Sequence, residues 1–143
     1  MMNIPAVLLA VTLAGAGTIE TEPEKTYTDE DLYILSHIIS AEAGNCSEAM
    51  MVSVGSVVLN RVADDRFPDT IEGVVFQEGQ YSPTWNGAYY AEPTEEACEV
   101  AEELLEEGSA IDQSVVWQAE FPQGEGIYDT IESPWGTVMY FCY

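Results

Sequence analysis

Residues 28–44, TDEDLYILSHIISAEAG, constrain this chain most, because they read as one amphipathic helix whose apolar face must be covered. Thr28 can accept a hydrogen bond from the first turn, where Asp29, Glu30 and Asp31 suit the positive end of the helix dipole. Gly44 falls where a left-handed terminating residue is expected. At about 100° per residue, Leu32, Ile34, Leu35, Ile38 and Ile39 gather on one face, with Tyr33 and His37 on the other. Glu42 lies in the middle of the apolar face, four residues after Ile38 and seven after Leu35. A carboxylate there loses hydration, and the last turn of a helix repels negative charge. Both effects favour the protonated form, the state a general acid needs near neutral pH. The competing reading is a helix-end glutamate turned out to water.

With 143 residues the chain suits one domain with a real core, and a 47% hydrophobic fraction excludes a disordered polyelectrolyte. Three basic residues face 26 acidic ones, for a net charge of −23. That balance excludes a phosphate-tracking groove, so no nucleic-acid partner is expected, and it disfavours anionic membranes. Glu95, Glu96, Glu99, Glu102, Glu103, Glu106 and Glu107 crowd one segment as a solvated face. No stretch has EF-hand ligand spacing, and a single histidine with no CxxC pair or Cys/His spacing makes no zinc set; no metal or cofactor is expected.

Residues 1–17 carry an apolar run from Ile4 and small residues at Ala14, Gly15 and Ala16, resembling a secretory signal without its usual basic start. A secreted or cell-envelope protein is expected, with no membrane-spanning segment after processing, acting as a monomer. Residues 18–27 read as a flexible lead-in and 28–143 as the folded domain. Cys98 lies beside an apolar stripe and reads as a buried thiol, which leaves Cys46 and Cys142 as the expected disulfide.

Ser47 caps a second helix running to about Val62, apolar on most sides. Its one polar stripe, Ser53, Ser56 and Asn60, either lines a groove or faces water. In the charged loop that follows, Arg61 or Arg66 can pair with Asp64 or Asp65, and Asp69 is expected to cap a short helix. Residues 78–90, EGQYSPTWNGAYY, read as an ordered loop whose aromatics either stack on sugars or pin the loop to the core. Pro93 and Thr94 open a third long helix that ends at Gly108. Residues 114–118 and 137–142 have strand composition, and the glycine-rich stretch between them reads as irregular. Helices followed by a small antiparallel sheet near the C-terminus make an α+β pattern.

The segments YILSHIISAEAG, VGSVVLNRVADDRFPDTIEGVVFQEGQYSP and TVMYFCY resemble the catalytic domain of spore cortex-lytic enzymes, the cell-wall hydrolases of the SleB/CwlJ type. The A-E-A, V-V-L-N-R-V, R-F-P-x-T-I and Q-x-S-P motifs stand in that family's order, over residues 31–143. The resemblance implies a lysozyme-like α+β fold and cleavage of peptidoglycan glycan strands, with Glu42, the glutamate of A-E-A, as catalytic acid. Gln80, Tyr81 and Ser82 occupy the family's Q-F-S loop, with Tyr in place of Phe, and are expected at the cleft. Asn60 is expected to brace that loop or touch substrate, and Trp85 and Trp117 to bind sugar. The chain departs from the family at Gly44-Asn45-Cys46, where members often read R-G-E, and again after Ser114.

The chemistry so implied is a single-glutamate lytic transglycosylase giving 1,6-anhydro-muramic ends. Two alternatives stand beside it. One is a hydrolytic muramidase or glucosaminidase with a second carboxylate drawn from Glu48, Asp64, Asp65, Glu72 or Glu78. The other is an inactive module that binds wall glycan.

Overall fold

A computed structural model describes residues 21–143. The signal-like segment and the first residues of the lead-in lie outside the described residues. Residues 21–27 carry no helix or strand and end at the cap of the first helix.

Helix α1 spans Asp29–Ala43, and its Thr28 cap is closed reciprocally: Asp31 N–H donates to the Thr28 hydroxyl while the Asp31 carboxylate accepts from Thr28 N–H. Ile34, Leu35, Ile38 and Ile39 are buried on its inner face as the periodicity requires. Two details differ. Gly44 is right-handed (φ −60°, ψ −23°), and a Cβ there would stand 2.5 Å from Ser40 O. The glycine serves a close approach, not a left-handed turn. His37 is buried, because the segment around Tyr89 covers that side of the helix; its Nδ1 lies 2.7 Å from the Tyr89 carbonyl.

Helix α2, Glu48–Val62, starts at the Ser47 cap. A single-turn-scale helix α3, Ile71–Val75, is capped by Thr70, one residue beyond the expected Asp69. The ordered loop contains the one-turn helix α4, Pro83–Asn86, and a 3₁₀ turn at Ala88–Tyr90. Helix α5, Glu95–Glu107, runs from the Thr94 cap to Gly108 and exposes all seven of its crowded glutamates. Helices α1, α2 and α5 pack mutually. At their meeting point Gly55 leaves room for Leu104 and Ile39, whose methyls lie 2.5 and 2.7 Å from where a Cβ would be. None of the described helices is long and apolar enough to cross a membrane.

Three strands complete the α+β domain: β1 Trp117–Ala119, β2 Ile127–Glu132 and β3 Val138–Cys142. The last strand is central, in the order β1-β3-β2, with both pairings antiparallel. Strand β2 lies in the stretch expected to be irregular. Only Ile131 among its residues is even half-buried, so it has no alternating apolar signal, and pairing with β3 defines it. The expected Cys46–Cys142 bridge is absent, and all three cysteines are free thiols. Cys46 is half-buried at a crevice that Met139 also lines, whereas Cys142 is buried at the end of β3. Cys98 is half-buried.

The polar stripe of α2 neither lines a groove nor meets water. Ser53, Ser56 and Asn60 are all buried. Ser56 Oγ accepts from Ala110 N–H at 3.0 Å, and Asn60 Nδ2 donates to the carbonyls of Asp112 and Val115 at 2.8 and 2.9 Å. The stripe thus fixes the chain that leads into β1. Asn60→Ala would leave the Val115 carbonyl unpaired and remove one of the two donors to the Asp112 carbonyl, whose other donor is Val115 N–H, and we expect a loss of about 2 kcal/mol in chemical denaturation. An unchanged unfolding midpoint would show that Asn60 does not hold this segment.

Candidate active site

Glu42 stands in the last turn of α1, and the cleft it borders has a volume of about 440 Å³. The walls come from three places. The 79–85 loop brings Gln80, Tyr81, Ser82 and Trp85, the β1 segment brings Trp117 and Gln118, and the residues after it bring Glu120 and Gln123. Arg61 reaches the same cleft from α2. Six expected site residues, Glu42, Gln80, Tyr81, Ser82, Trp85 and Trp117, therefore share one cavity. Asn60 is not among its lining residues.

Glu42 is half-buried, and its carboxyl is pushed up from the usual carboxylate range to about 7. Burial is the main cause, and the positive charge of Arg61 opposes it. The ion pairs among the described residues are Lys25–Asp29 and Arg66–Asp64; neither includes Glu42. The Arg66–Asp64 pair matches one expected pairing in the charged loop and holds Asp64 down at about 2.

Arg61 does something else. It is 3% exposed, donates from Nε to the Val116 carbonyl at 2.7 Å, and donates from Nη1 to Gln80 Oε1 at 3.3 Å. Its guanidinium carbon lies 5.0, 5.4 and 5.7 Å from the rings of Phe67, Tyr81 and Trp117. One cation thereby ties the loop wall to the β1 wall beneath Glu42. The sequence left either Arg61 or Arg66 as the partner of Asp64 or Asp65 and gave Arg61 no place at the cleft; the available signal was an arginine inside the apolar run VVLNRV.

Tyr81 is 1% exposed, so it is a core anchor whose edge borders the cleft, whereas Trp85 is 61% exposed and free to stack. The Tyr81 hydroxyl is buried without a hydrogen-bond partner. Burial pushes its pKa to about 12, with Arg61 lowering it and Glu42 raising it, so the phenol stays neutral beside both charges.

None of Glu48, Asp64, Asp65, Glu72 or Glu78 lines this cleft. The second carboxylate that does is Glu120, directly after β1. Nothing in its local sequence distinguishes it from the other 25 acids. No cluster of His, Cys, Asp and Glu among the described residues has metal-holding geometry.

A small helical domain with a three-stranded sheet and an elevated-pKa glutamate in an open, tryptophan-edged cleft defines a lysozyme-like α+β domain. The chain belongs to the cell wall hydrolase family, whose profile matches residues 46–123, more than half of its length. Glu42 lies just ahead of that match, so its assignment rests on the A-E-A motif and on the geometry above. A spore cortex-lytic enzyme of Oceanobacillus iheyensis is 27% identical over 123 residues, covering 83% of this chain and 40% of the relative. The Bacillus subtilis spore cortex-lytic enzyme is 26% identical over 113 residues, covering 76% and 33%. The chain thus spans two fifths or less of these relatives' length. Among solved structures, the catalytic domain of the germination-specific lytic transglycosylase SleB from Bacillus anthracis superposes with a TM-score of 0.66 at 20% identity. That match covers 85% of this chain and all of the other. The Bacillus cereus SleB catalytic domain gives 0.61 at 20% identity, covering 89% and 99%.

Two expectations follow from the electrostatics. The native chain keeps the Glu42 proton up to about pH 7, whereas the unfolded carboxyl releases it near 4.5. Stability contributed by this group therefore falls as pH rises through that window and levels off above it. Glu42→Gln should flatten this dependence and melt at an equal or higher temperature at neutral pH, by on the order of 2 kcal/mol. A clearly less stable variant would mean that Glu42 is a structural ion-pair partner. Tyr81→Phe removes only the unpartnered hydroxyl, so thermal melting should show equal or slightly higher stability, by about 1 kcal/mol at most. A marked loss would reveal a hydrogen bond that the hydroxyl makes.

Proposed function

We propose that this chain cleaves the glycan strand of peptidoglycan as a single-acid lytic transglycosylase, outside the cell. The observation that carries the reading is Glu42: half-buried, raised to about 7, and set on the wall of a tryptophan-edged cleft. The spore cortex-lytic names of the relatives and the lytic transglycosylase name of the Bacillus anthracis structure support it. The signal-like start of the sequence supports export.

In this reading the protonated Glu42 donates to the glycosidic oxygen of an N-acetylmuramic-type residue as the C1–O bond breaks. The ring passes through an oxocarbenium-like state. Its own C6 hydroxyl then attacks C1, closing a 1,6-anhydro ring, and Glu42 takes the hydroxyl proton. No water is consumed, and Glu42 ends as it began. Between the two transfers Glu42 is an anion, and the buried Arg61 charge stabilises it there. A group with a pKa near the working pH can serve in both directions.

A second reading is favoured by one observation, Glu120 on the same cleft. A carboxylate there could activate water and make the enzyme a hydrolase. Mass spectrometry of fragments released from purified sacculi separates the two. We expect anhydro-muropeptides one water lighter than the hydrolytic products, with release abolished in Glu42→Gln and retained in Glu120→Gln. Reducing ends only, lost together with Glu120, would establish hydrolysis. Intact sacculi after incubation with the wild-type chain would leave a glycan-binding module without activity.

A further inference from the structure

A second, smaller crevice of about 140 Å³ adjoins the catalytic cleft and shares Glu42, Glu120 and Met139 with it. Its remaining walls come from the α1–α2 junction, with Cys46 and Met50, and from the β2–β3 hairpin, with Ser133, Trp135 and Thr137. Glu42 therefore stands at the junction of two open depressions.

The hairpin tip is firmly built. Ser133 N–H donates to Thr137 O at 2.7 Å, Thr137 N–H donates to Ser133 Oγ at 2.9 Å, and Gly136 N–H donates to Ser133 O at 3.0 Å. Gly136 adopts φ 92°, a conformation that glycine takes at little cost. On this fixed turn Trp135 is 65% exposed. What sets this indole apart from the other exposed aromatics is its place, on a hydrogen-bonded turn at the rim of a crevice that also contains Glu42. It does suit a pyranose ring, whose axial C–H face stacks on an aromatic surface. Met50, Met139 and Cys46 offer soft apolar surface for an acetamido methyl group; burial raises the Cys46 pKa and keeps it a neutral thiol.

We propose that Trp135 and this crevice form a saccharide subsite on the side of the scissile bond opposite Trp85 and Trp117. The glycan strand then runs past Glu42 from one tryptophan-edged depression into the other, with a sugar held on each side of the bond that breaks. This rests on the glycan reading given above and adds a residue and a direction to it.

The test uses the full chain with Glu42→Gln, so that ligand is bound and not cut. Calorimetric titration with a defined peptidoglycan octasaccharide compares this parent with versions also carrying Trp135→Ala, Trp135→Tyr or Trp85→Ala. We expect Trp135→Ala to weaken binding roughly fivefold, the scale of one lost stacking contact. Trp135→Tyr should retain most of the affinity, and melting temperatures should not move. Weakening by Trp85→Ala with none by Trp135→Ala overturns the subsite and leaves the glycan reading standing. A parent that binds no octasaccharide overturns the glycan reading, and the subsite with it.

Discussion

A buried guanidinium organises this domain. Arg61 has no carboxylate within salt-bridge distance among the described residues, so its hydration is replaced by two carbonyl-type acceptors and three aromatic faces. These five partners come from three segments: Val116 and Trp117 from the β1 wall, Gln80 and Tyr81 from the loop wall, and Phe67 from the turn after α2. Ordering those segments around one cation shapes the cleft and places a positive charge within reach of Glu42. The same charge keeps Glu42 from rising further than about 7. Packing and acid strength are thus coupled through a single side chain.

The distribution of acid follows a related division. The seven α5 glutamates point to solvent, and none lines the cleft beside Glu42. The cleft itself carries two carboxylates and one buried cation. Of the two, Glu120 is exposed and no shift acts on Glu42 from it, whereas burial and Arg61 do. The high net negative charge is therefore a property of the outer helix face, where solvent and salt screen it, and the acid responds to its immediate surroundings.

How much could be read beforehand depended on how local the signal was. Helices α1, α2 and α5 were legible because N-terminal caps and apolar periodicity lie within each segment. Glu42 was legible for the same reason, as a carboxylate out of place on an apolar face. Strand β2 was not, since its residues are exposed and only hydrogen bonding to β3 defines it. Asn60, Arg61 and Glu120 were misread or missed because their partners lie 19 to 55 residues away, or, for Glu120, because the cleft is closed by segments far apart in the chain. The cysteines show the same limit, as composition cannot report that Cys46, in the turn between α1 and α2, and Cys142, on β3, stay free thiols.

The position of Glu42 in α1 follows from these constraints. A carboxylate earlier in the helix would face Leu35 or Ile38, both 0% exposed, and would be sealed from any substrate. One turn later the backbone has left the helix and solvent would restore an ordinary pKa. The last turn is where the apolar face of α1 runs out into the cleft: Ala43 is still buried and Asn45 is already exposed. Only there can a side chain be dry enough to hold a proton near neutral pH and open enough to hand it to a ligand. The close Gly44–Ser40 approach lets the chain turn away at once. That exit leads through Cys46 into α2, which brings Arg61 beneath the cleft. The acid, its counter-charge and the walls between them are consequences of one helix ending where it does.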